Sequence, residues 1–157
     1  MLSASSRGGI VAVRYIWPEL RHRQRDDALR PLLILHSFRF EGLVFLVPGV
    51  VSPDLPAAFA HSAAYGDIMA ATLALLSLLT LPTRAGIVIV WIFNLWGSAD
   101  LLRAFYEGNA GGLLAGQLGA AYFIPVVPLL LITHGLIFRI LLQHQNQSAL
   151  RESRHPA

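Results

Sequence analysis

The stretch GIVIVWIFNLWGSADLLRAFY, residues 86–106, decides the class of fold. It is long enough to cross the hydrocarbon core of a bilayer, which takes about 20 predominantly apolar residues in an α-helix. Asn94, Asp100 and Arg103 nevertheless interrupt it. Ionisable side chains in a spanning helix are costly unless they are paired, hydrated or able to reach the interface. The stretch therefore predicts a membrane helix whose polar side chains face other helices.

Three further stretches have the length and apolarity of membrane spans, namely residues 31–50, 64–82 and 118–142. Short connections that contain turn-forming residues separate them. The composition agrees, since 55% of the 157 residues are hydrophobic and 13% are charged, whereas soluble domains have about 25% charged residues. The sequence therefore predicts an all-α fold, a four-helix transmembrane bundle over residues 31–142.

The segments outside the bundle are polar. Residues 1–30 form a basic N-terminal arm, in which residues 18–30, PELRHRQRDDALR, are predicted to form a short amphipathic surface helix because Pro and Glu open it. Residues 143–157 are predicted to be a polar tail. Six of the twelve arginines precede the first span. A polybasic arm beside a span is typical of contact with lipid headgroups rather than with nucleic acid.

Basic residues also predict the orientation of the chain. The connections 51–62 and 107–117 contain no Lys or Arg, whereas the N-terminal arm, the turn 82–84 and the tail do. Because connections rich in Lys and Arg stay on the cytoplasmic side, both termini are predicted to be cytoplasmic.

Several polar side chains lie deep within the predicted spans. With a helical rise of about 1.5 Å per residue, Asp67 and Asp100 lie roughly 5 Å and roughly 9 Å below the outer boundary. Arg39 lies near the middle of the first span, and its long side chain is predicted to reach both carboxylates. Asn94 and His134 are expected to join them by hydrogen bonds. These five residues form the predicted polar site between the helices.

Four further residues are secondary candidates for this site: His36, Glu41, Arg103 and Tyr122. His36 shares one α-helical face with Arg39, and Leu43 continues that face at i+7. Glu41 points away from Arg39 and needs another partner, such as a second subunit, or a bound proton. Arg103 has the spacing to pair with Glu107 at i,i+4 or with Asp100 at i,i+3.

Two interpretations of these polar groups compete. They could only hold the bundle together, because polar side chains between membrane helices stabilise association by about 0.6 kcal/mol on average. This stabilisation is small compared with the free-energy cost of burying several ionisable groups. Pro125 and Pro128 precede His134, and a proline kink widens a bundle at the point where it occurs. We therefore favour a functional pocket.

Five short motifs occur in a fixed order: FR (38–39), LPAAFA (55–60), GD (66–67), NLWGSADL (94–101) and IPVVPLLLITH (124–134). Their combination resembles a widespread bacterial family of small, uncharacterised four-span integral membrane proteins. The resemblance covers roughly residues 31–142 and implies a multi-pass protein of the bacterial inner membrane. The family residues that this chain matches are Arg39, Asp67, Asn94, Gly97, Asp100 and His134. The resemblance implies no reaction, and Glu41 departs from the family pattern.

The leading functional interpretation is a membrane-embedded pocket for a small amphipathic molecule or a lipid. Asp67, Asp100 and His134 would be its acid or base groups, and Arg39 would organise charge or clamp an anion. No nucleophile motif, phosphate-binding loop or metal-ligand spacing accompanies these residues. Whether the protein is an enzyme is left open, and no metal site is predicted.

Three alternatives remain at the level of the sequence. A homo-oligomer could carry out proton- or cation-linked transport with Glu41 as the carrier. The chain could be an accessory or assembly subunit whose polar groups hold it to a partner. His36 and His134 could ligate haem b, since two imidazoles in a helical bundle are a known arrangement for haem; no other cofactor is predicted.

Overall fold

The structure is a computed structural model, and it describes residues 9–110 and 126–154. These residues form five α-helices: α1 (Trp17–Leu20), α2 (Arg25–Ser37), α3 (Ala57–Thr80), α4 (Arg84–Ala110) and α5 (Val126–Arg154). A π-helical segment, Ala12–Ile16, leads into α1, and a 3₁₀ helix, Phe38–Leu46, continues α2. The predicted all-α class is confirmed for this part of the chain.

Three helices in the described ranges are long and apolar enough to cross a membrane. They are α3, the Arg84–Gly108 part of α4 and the Val126–Gln145 part of α5, with mean hydropathies of 1.5, 1.6 and 1.9. These helices overlap the second, third and fourth stretches that hydropathy predicts. Their length and apolar composition make a membrane protein the natural interpretation.

The first predicted span, residues 31–50, is not one α-helix. Helix α2 ends at Ser37, and the backbone then tightens into the 3₁₀ helix up to Leu46. The buried residues of the 3₁₀ helix are three apart: Arg39, Gly42 and Phe45. Because a 3₁₀ helix has about 3 residues per turn, residues at this spacing lie on one line. The tighter helix therefore turns all three toward the bundle, on the side where His36 of α2 is also buried.

The surface helix predicted over residues 18–30 is divided in two. Helix α1 ends at Leu20, and α2 begins at Arg25 and continues past residue 30, so the predicted boundary at that residue falls inside a helix. Residues 21–24, RHRQ, are all exposed. With no apolar side chain to bury, these four residues gain nothing from packing, and the helix breaks there.

The core consists of two apolar clusters at successive levels of the bundle. The first joins α1 and α2 to the adjoining ends of α3, α4 and α5, and includes Trp17, Leu33, Leu81, Val90 and Ile137. The second joins the 3₁₀ helix to the opposite ends of the long helices, and includes Phe45, Phe59, Leu101 and Leu130.

Polar residues separate the two clusters on every long helix. In α3, Asp67 lies between Ala63 of the second cluster and Ala70 of the first. Helices α4 and α5 repeat this order with Asn94 and His134. The bundle thus has a polar layer enclosed between two apolar ones, and this layer contains the candidate site.

Candidate functional site

Arg39 is the centre of the polar layer. Its Nε donates to Asp67 Oδ1 at 2.7 Å, and its Nη2 donates to Asp100 Oδ2 at 2.6 Å. Its Nη1 donates to the carbonyl oxygen of Gly97 at 3.4 Å. The Arg39 side chain is 2% exposed, and those of Asp67 and Asp100 are 15% and 14% exposed. One guanidinium therefore ties the 3₁₀ helix to both α3 and α4.

Two glycines make room for these carboxylates. A β-carbon on Gly42 would collide with the carboxylate of Asp67, and one on Gly66 would collide with the carboxylate of Asp100. Each aspartate thus lies against bare backbone of the neighbouring helix. Small residues permit this close approach of membrane helices. Here they determine where the two acids lie as well as how the helices pack.

Gly97 has the same role on α4. A β-carbon there would lie 2.7 Å from His134 Nε2 and 3.0 Å from Arg39 Nη1. The imidazole and the guanidinium therefore approach the same point on α4 from two different elements. Glycine at this position is what allows α5 and the 3₁₀ helix to meet over α4.

Asn94 and His134 form a pair whose hydrogen positions follow from geometry. Asn94 Nδ2 donates to the backbone carbonyl of His134 at 3.2 Å, so the amide oxygen faces the ring, where Oδ1 lies 2.6 Å from Nδ1. That oxygen can only accept, and His134 Nδ1 must therefore carry the hydrogen. His134 Nε2 is then a bare acceptor, and it is buried without a hydrogen-bond partner among the described residues.

His36 and Thr133 form a second pair. The Thr133 hydroxyl donates to the carbonyl of Leu130 at 2.8 Å, so it accepts from His36 Nε2 at 3.0 Å. His36 Nδ1 is consequently a second bare acceptor, also buried and without a partner in the described part of the chain. The rings of His36 and His134 lie 4.1 Å apart, centroid to centroid, and Phe93 packs against both.

A cavity of about 120 Å³ lies beside Arg39. Its charged lining residues are Arg39, Glu41, Asp67 and Asp100, and its other lining residues are apolar, among them Phe45, Phe59, Leu101, Val127 and Leu130. The volume corresponds to roughly four water molecules, each of which occupies about 30 Å³ in the liquid. The cavity can therefore accept the polar head of a small amphipathic molecule against its charged part.

Glu41 lies at the edge of this cavity. It is exposed, and it lines the cavity together with Phe38 and Leu35. An α-helical extrapolation places Glu41 opposite Arg39. Glu41 is indeed exposed whereas Arg39 is buried, and both residues line the cavity. Leu43, which the same extrapolation turns inward, is 40% exposed, and Gly42 takes the inward position.

Of the remaining candidates, Arg103 lies apart from the site. Arg103 pairs with Glu107 at 2.7 Å, as their spacing predicts, and this pair is on the outside of α4. Arg103 does not line the cavity. Tyr122 lies outside the described residues.

Sequence reasoning missed Thr133, Phe93, Gly42 and Gly66. Thr133 and Phe93 contact their partners only because α4 and α5 are rotated in a particular way, and no spacing within one helix reports that rotation. The two glycines did carry a signal. Each lies within an apolar stretch close to a charged residue, where a small side chain is typical of close helix contact.

The chain matches the family model DUF8737, a domain of unknown function, over residues 4–142. The chain belongs to this family. The match includes every residue of the polar layer and the whole cavity lining. No curated protein and no solved structure matches the chain. The family carries no assigned function, so an argument about function has to come from the chemistry of the site.

The geometry of the histidine pair bears on haem. In bis-histidine haem the iron lies between the two imidazoles, each of which points a nitrogen at it. In the structure the centroids of the His36 and His134 rings are 4.1 Å apart, with the ring planes tilted by 39°, which leaves no space for a porphyrin between them. Haem ligation by this pair would therefore require a different packing of α2 against α5.

Proposed function

We propose that the protein is a four-span integral membrane protein of the bacterial inner membrane that binds a small amphipathic molecule in the cavity beside Arg39. Both termini lie in the cytoplasm in this proposal. The observation that carries it is the cavity itself, which combines a charged part with apolar walls. Sites for small molecules are typically concave, mostly apolar and provided with a few converging polar groups.

The first span in this proposal is α2 together with the 3₁₀ helix. From Pro31 onward they contribute 7 and 9 residues, since α2 ends at Ser37 and the 3₁₀ helix ends at Leu46. At about 1.5 Å and about 2.0 Å of rise per residue this part extends over roughly 28 Å, close to the hydrocarbon thickness of about 30 Å. The broken helix therefore has about the length that a further span needs. A 3₁₀ segment at membrane depth is tolerable where it lies against protein, and this one packs along α3.

The outer surface of the helices supports the membrane setting. Leu79, Val88 and Leu102 are 80%, 58% and 57% exposed. Large apolar side chains exposed over several helices suit contact with lipid rather than with water. The exposed Phe38 also lines the cavity, so an amphipathic molecule dissolved in the bilayer has an apolar route to Arg39.

Filling the cavity tests this proposal. Ala104 lines the cavity on α4, and Ala99 is exposed on the same helix outside it. The probe is a medium-chain alkanol that carries a photoreactive diazirine, added to the protein in vesicles of zwitterionic lipid. We expect saturable labelling of the 3₁₀ helix and α5, reduced about tenfold in Ala104→Leu because the added side chain occupies the binding volume.

Ala99→Leu is the matched control and should label like the unmodified protein, because its larger side chain points away from the cavity. Labelling that does not saturate, or that Ala104→Leu leaves unchanged, would contradict the proposal. Peptide mapping of the labelled residues shows whether the probe lies at the cavity or on the lipid-facing surface.

A second candidate function is proton- or cation-linked transport by a homo-oligomer, and the position of Glu41 favours it. This carboxylate is exposed at the edge of the cavity that contains two further acids. Membrane carboxylates in such positions often carry protons or cations. The transport proposal predicts a pH-dependent flux in proteoliposomes that Glu41→Gln abolishes. A flux that survives this substitution excludes Glu41 as the carrier.

A further inference from the structure

A second concave site lies on the outer face of α2, at the end of the bundle that contains the first apolar cluster. It is an open groove of about 450 Å³, and its lining residues are Arg23, Asp27, Arg30, Pro31 and Ile34. None of these residues lines the cavity described above. Two guanidinium groups, one carboxylate and two apolar side chains therefore meet at one place on the surface.

Two of the charges in the groove have no partner within the protein. Asp27 and Arg30 are three residues apart on one face of α2, a spacing at which opposite charges commonly pair. Among the described residues, however, neither side chain forms an ion pair or a hydrogen bond. Arg23 pairs with Glu19 at 2.7 Å, and its side chain is still 45% exposed. The groove thus offers a free cation and a free anion to a ligand that carries both charges.

Pro31 adds an acceptor beside the Asp27 carboxylate. It lies inside α2, and proline has no amide hydrogen to donate to the carbonyl group four residues earlier. The backbone carbonyl of Asp27 therefore lacks the amide partner that it would have in a regular α-helix. A primary ammonium group has three donors and no acceptor, so it can bond to this carbonyl and to the carboxylate together.

An apolar strip continues from the groove along α2. Ile34 and Phe38 follow Arg30 at intervals of four residues, so the three side chains lie on one helical face. Ile34 and Phe38 are 45% and 59% exposed. The axial distance from Arg30 to Phe38 is roughly 12 Å, which is less than half of a hydrocarbon core about 30 Å thick. A charged groove at the end of an apolar strip has the polarity of a phospholipid.

We infer that this groove binds a phospholipid of the cytoplasmic leaflet whose head contains a phosphate and a primary ammonium group. Arg30 and Arg23 bind the phosphate oxygens, because guanidinium groups match the geometry of phosphate. The ammonium group bonds to Asp27, and an acyl chain lies along Ile34 and Phe38. This site rests on the membrane setting and the orientation of the proposed function, and not on any ligand in the cavity.

Three phospholipid probes with identical acyl chains and different heads test this site. The heads are phosphoethanolamine, phosphocholine and phosphoglycerol, and each probe carries the same diazirine in one chain. Each is added in trace amount to the full-length protein in phosphocholine vesicles, and labelling is mapped on the peptide that contains Ile34 and Phe38. The ethanolamine lipid should label about threefold more than either of the others, a ratio typical of partly exposed charge pairs. The choline head has no N–H to donate, and the glycerol head has no cation for Asp27.

Arg30→Gln removes the partner of the phosphate, which all three heads share. We expect it to lower labelling by every probe about threefold, and it should fold normally because the side chain is exposed. Arg84→Gln is the matched control. Arg84 is an exposed arginine that begins α4 at the same end of the bundle and does not line the groove, so labelling should not change.

Asp27→Asn should abolish the preference for the ethanolamine head over the choline head and leave labelling by the choline lipid unchanged. Asp27 lies in the first turn of α2, where an acid also stabilises the helix dipole. If that were its only role, Asp27→Asn would lower stability without changing the ratio between the two probes. An unchanged ratio would therefore overturn the assignment of the ammonium group to Asp27.

Three further outcomes contradict the inference. Equal labelling by all three probes, unchanged in Arg30→Gln, would identify ordinary contact with lipid. A preference for the glycerol head would show a basic surface that attracts anions in general. A loss in Arg84→Gln as large as in Arg30→Gln would have the same meaning.

Failure of this site can be distinguished from failure of the proposed function. The alkanol probe reports on the cavity, and its labelling depends on Ala104 rather than on the groove. If the alkanol does not label while the ethanolamine lipid labels as expected, the cavity proposal fails and the phospholipid site stands. The reverse result overturns the phospholipid site alone.

Discussion

Arg39→Leu should destabilise the protein by about 3–5 kcal/mol, the usual cost of removing one partner from a buried ion pair. Within the described ranges, Arg39 is the ion-pair partner of both Asp67 and Asp100. Without it, two carboxylates remain between helices with no compensating charge. Reversible unfolding in mild detergent, followed by circular dichroism, measures the loss.

The reason for this loss can be separated from a simple packing defect. In the triple variant with Arg39→Leu, Asp67→Asn and Asp100→Asn, no ionised group remains at the cluster, and most of the lost stability should return. Arg39→Lys should be intermediate, because an ammonium group cannot reproduce the fork that reaches both acids.

Arg103→Leu provides the control for Arg39→Leu. It breaks the ion pair with Glu107, which lies on the outside of α4, so it should change the unfolding transition little. If Arg39→Leu were as stable as Arg103→Leu, the buried pairs would not be holding the 3₁₀ helix against α3 and α4. If the triple variant were as unstable as the single one, the loss would come from packing and not from charge.

The meeting of Arg39, Asp67 and Asp100 between the helices could be predicted from the sequence. The prediction used only the lengths of the apolar stretches and the depth of each charged residue within them. A helix of apolar residues has to bury its few acids, and the rise per residue places Asp67 and Asp100 at similar depths, within reach of a long arginine side chain. The structure brings Arg39 to both. Such an argument needs no knowledge of helix rotation, which is why it works from a single sequence.

The residues of the 3₁₀ helix that face the bundle could not be obtained in this way. Residues three apart lie on the same face of an α-helix as well as of a 3₁₀ helix, so His36 and Arg39 do not distinguish between the two periods. An assumed period of about 3.6 turns Leu43 inward and Glu41 away; a period of about 3 turns Gly42 and Phe45 inward instead. One undetected change of helix type therefore gave Leu43 the inward position that Gly42 and Phe45 occupy.

The hydrogen bonds of the histidines were beyond sequence reasoning for a different reason. Thr133 and His36 are 97 residues apart in the chain, and their contact depends on how α2 and α5 are rotated about their axes. Rotation follows from packing of the whole bundle, including the glycines that set how closely the helices approach. Depth can be read from one helix at a time, whereas rotation requires all of them together.

Gly66→Ala should cost about 1–3 kcal/mol of stability, the range observed when a well-packed site is overfilled. A methyl group at this position would collide with the Asp100 carboxylate. Neither residue can move freely, because Gly66 belongs to the interior of α3 and Asp100 accepts a hydrogen bond from Arg39. The carboxylate therefore has to move, and its ion pair weakens with it.

Gly135→Ala is the matched control. Gly135 lies within α5, and a β-carbon there meets nothing within 4 Å. Alanine is favoured over glycine in a helix by about 1 kcal/mol, so this substitution should leave stability unchanged or raise it. The two variants add the same methyl group to two long apolar helices and are expected to change stability in opposite directions.

Combining Gly66→Ala with Asp100→Ala shows whether the collision is the cause. Removing the carboxylate clears the space for the new methyl group, so Gly66→Ala should cost much less in the Asp100→Ala background than alone. Non-additivity of this kind is expected for residues in contact and not for distant, independent ones. If Gly66→Ala cost the same in both backgrounds, Gly66 would serve helix packing alone. The absence of a side chain at Gly66 would then not be what allows Asp100 to lie against Arg39.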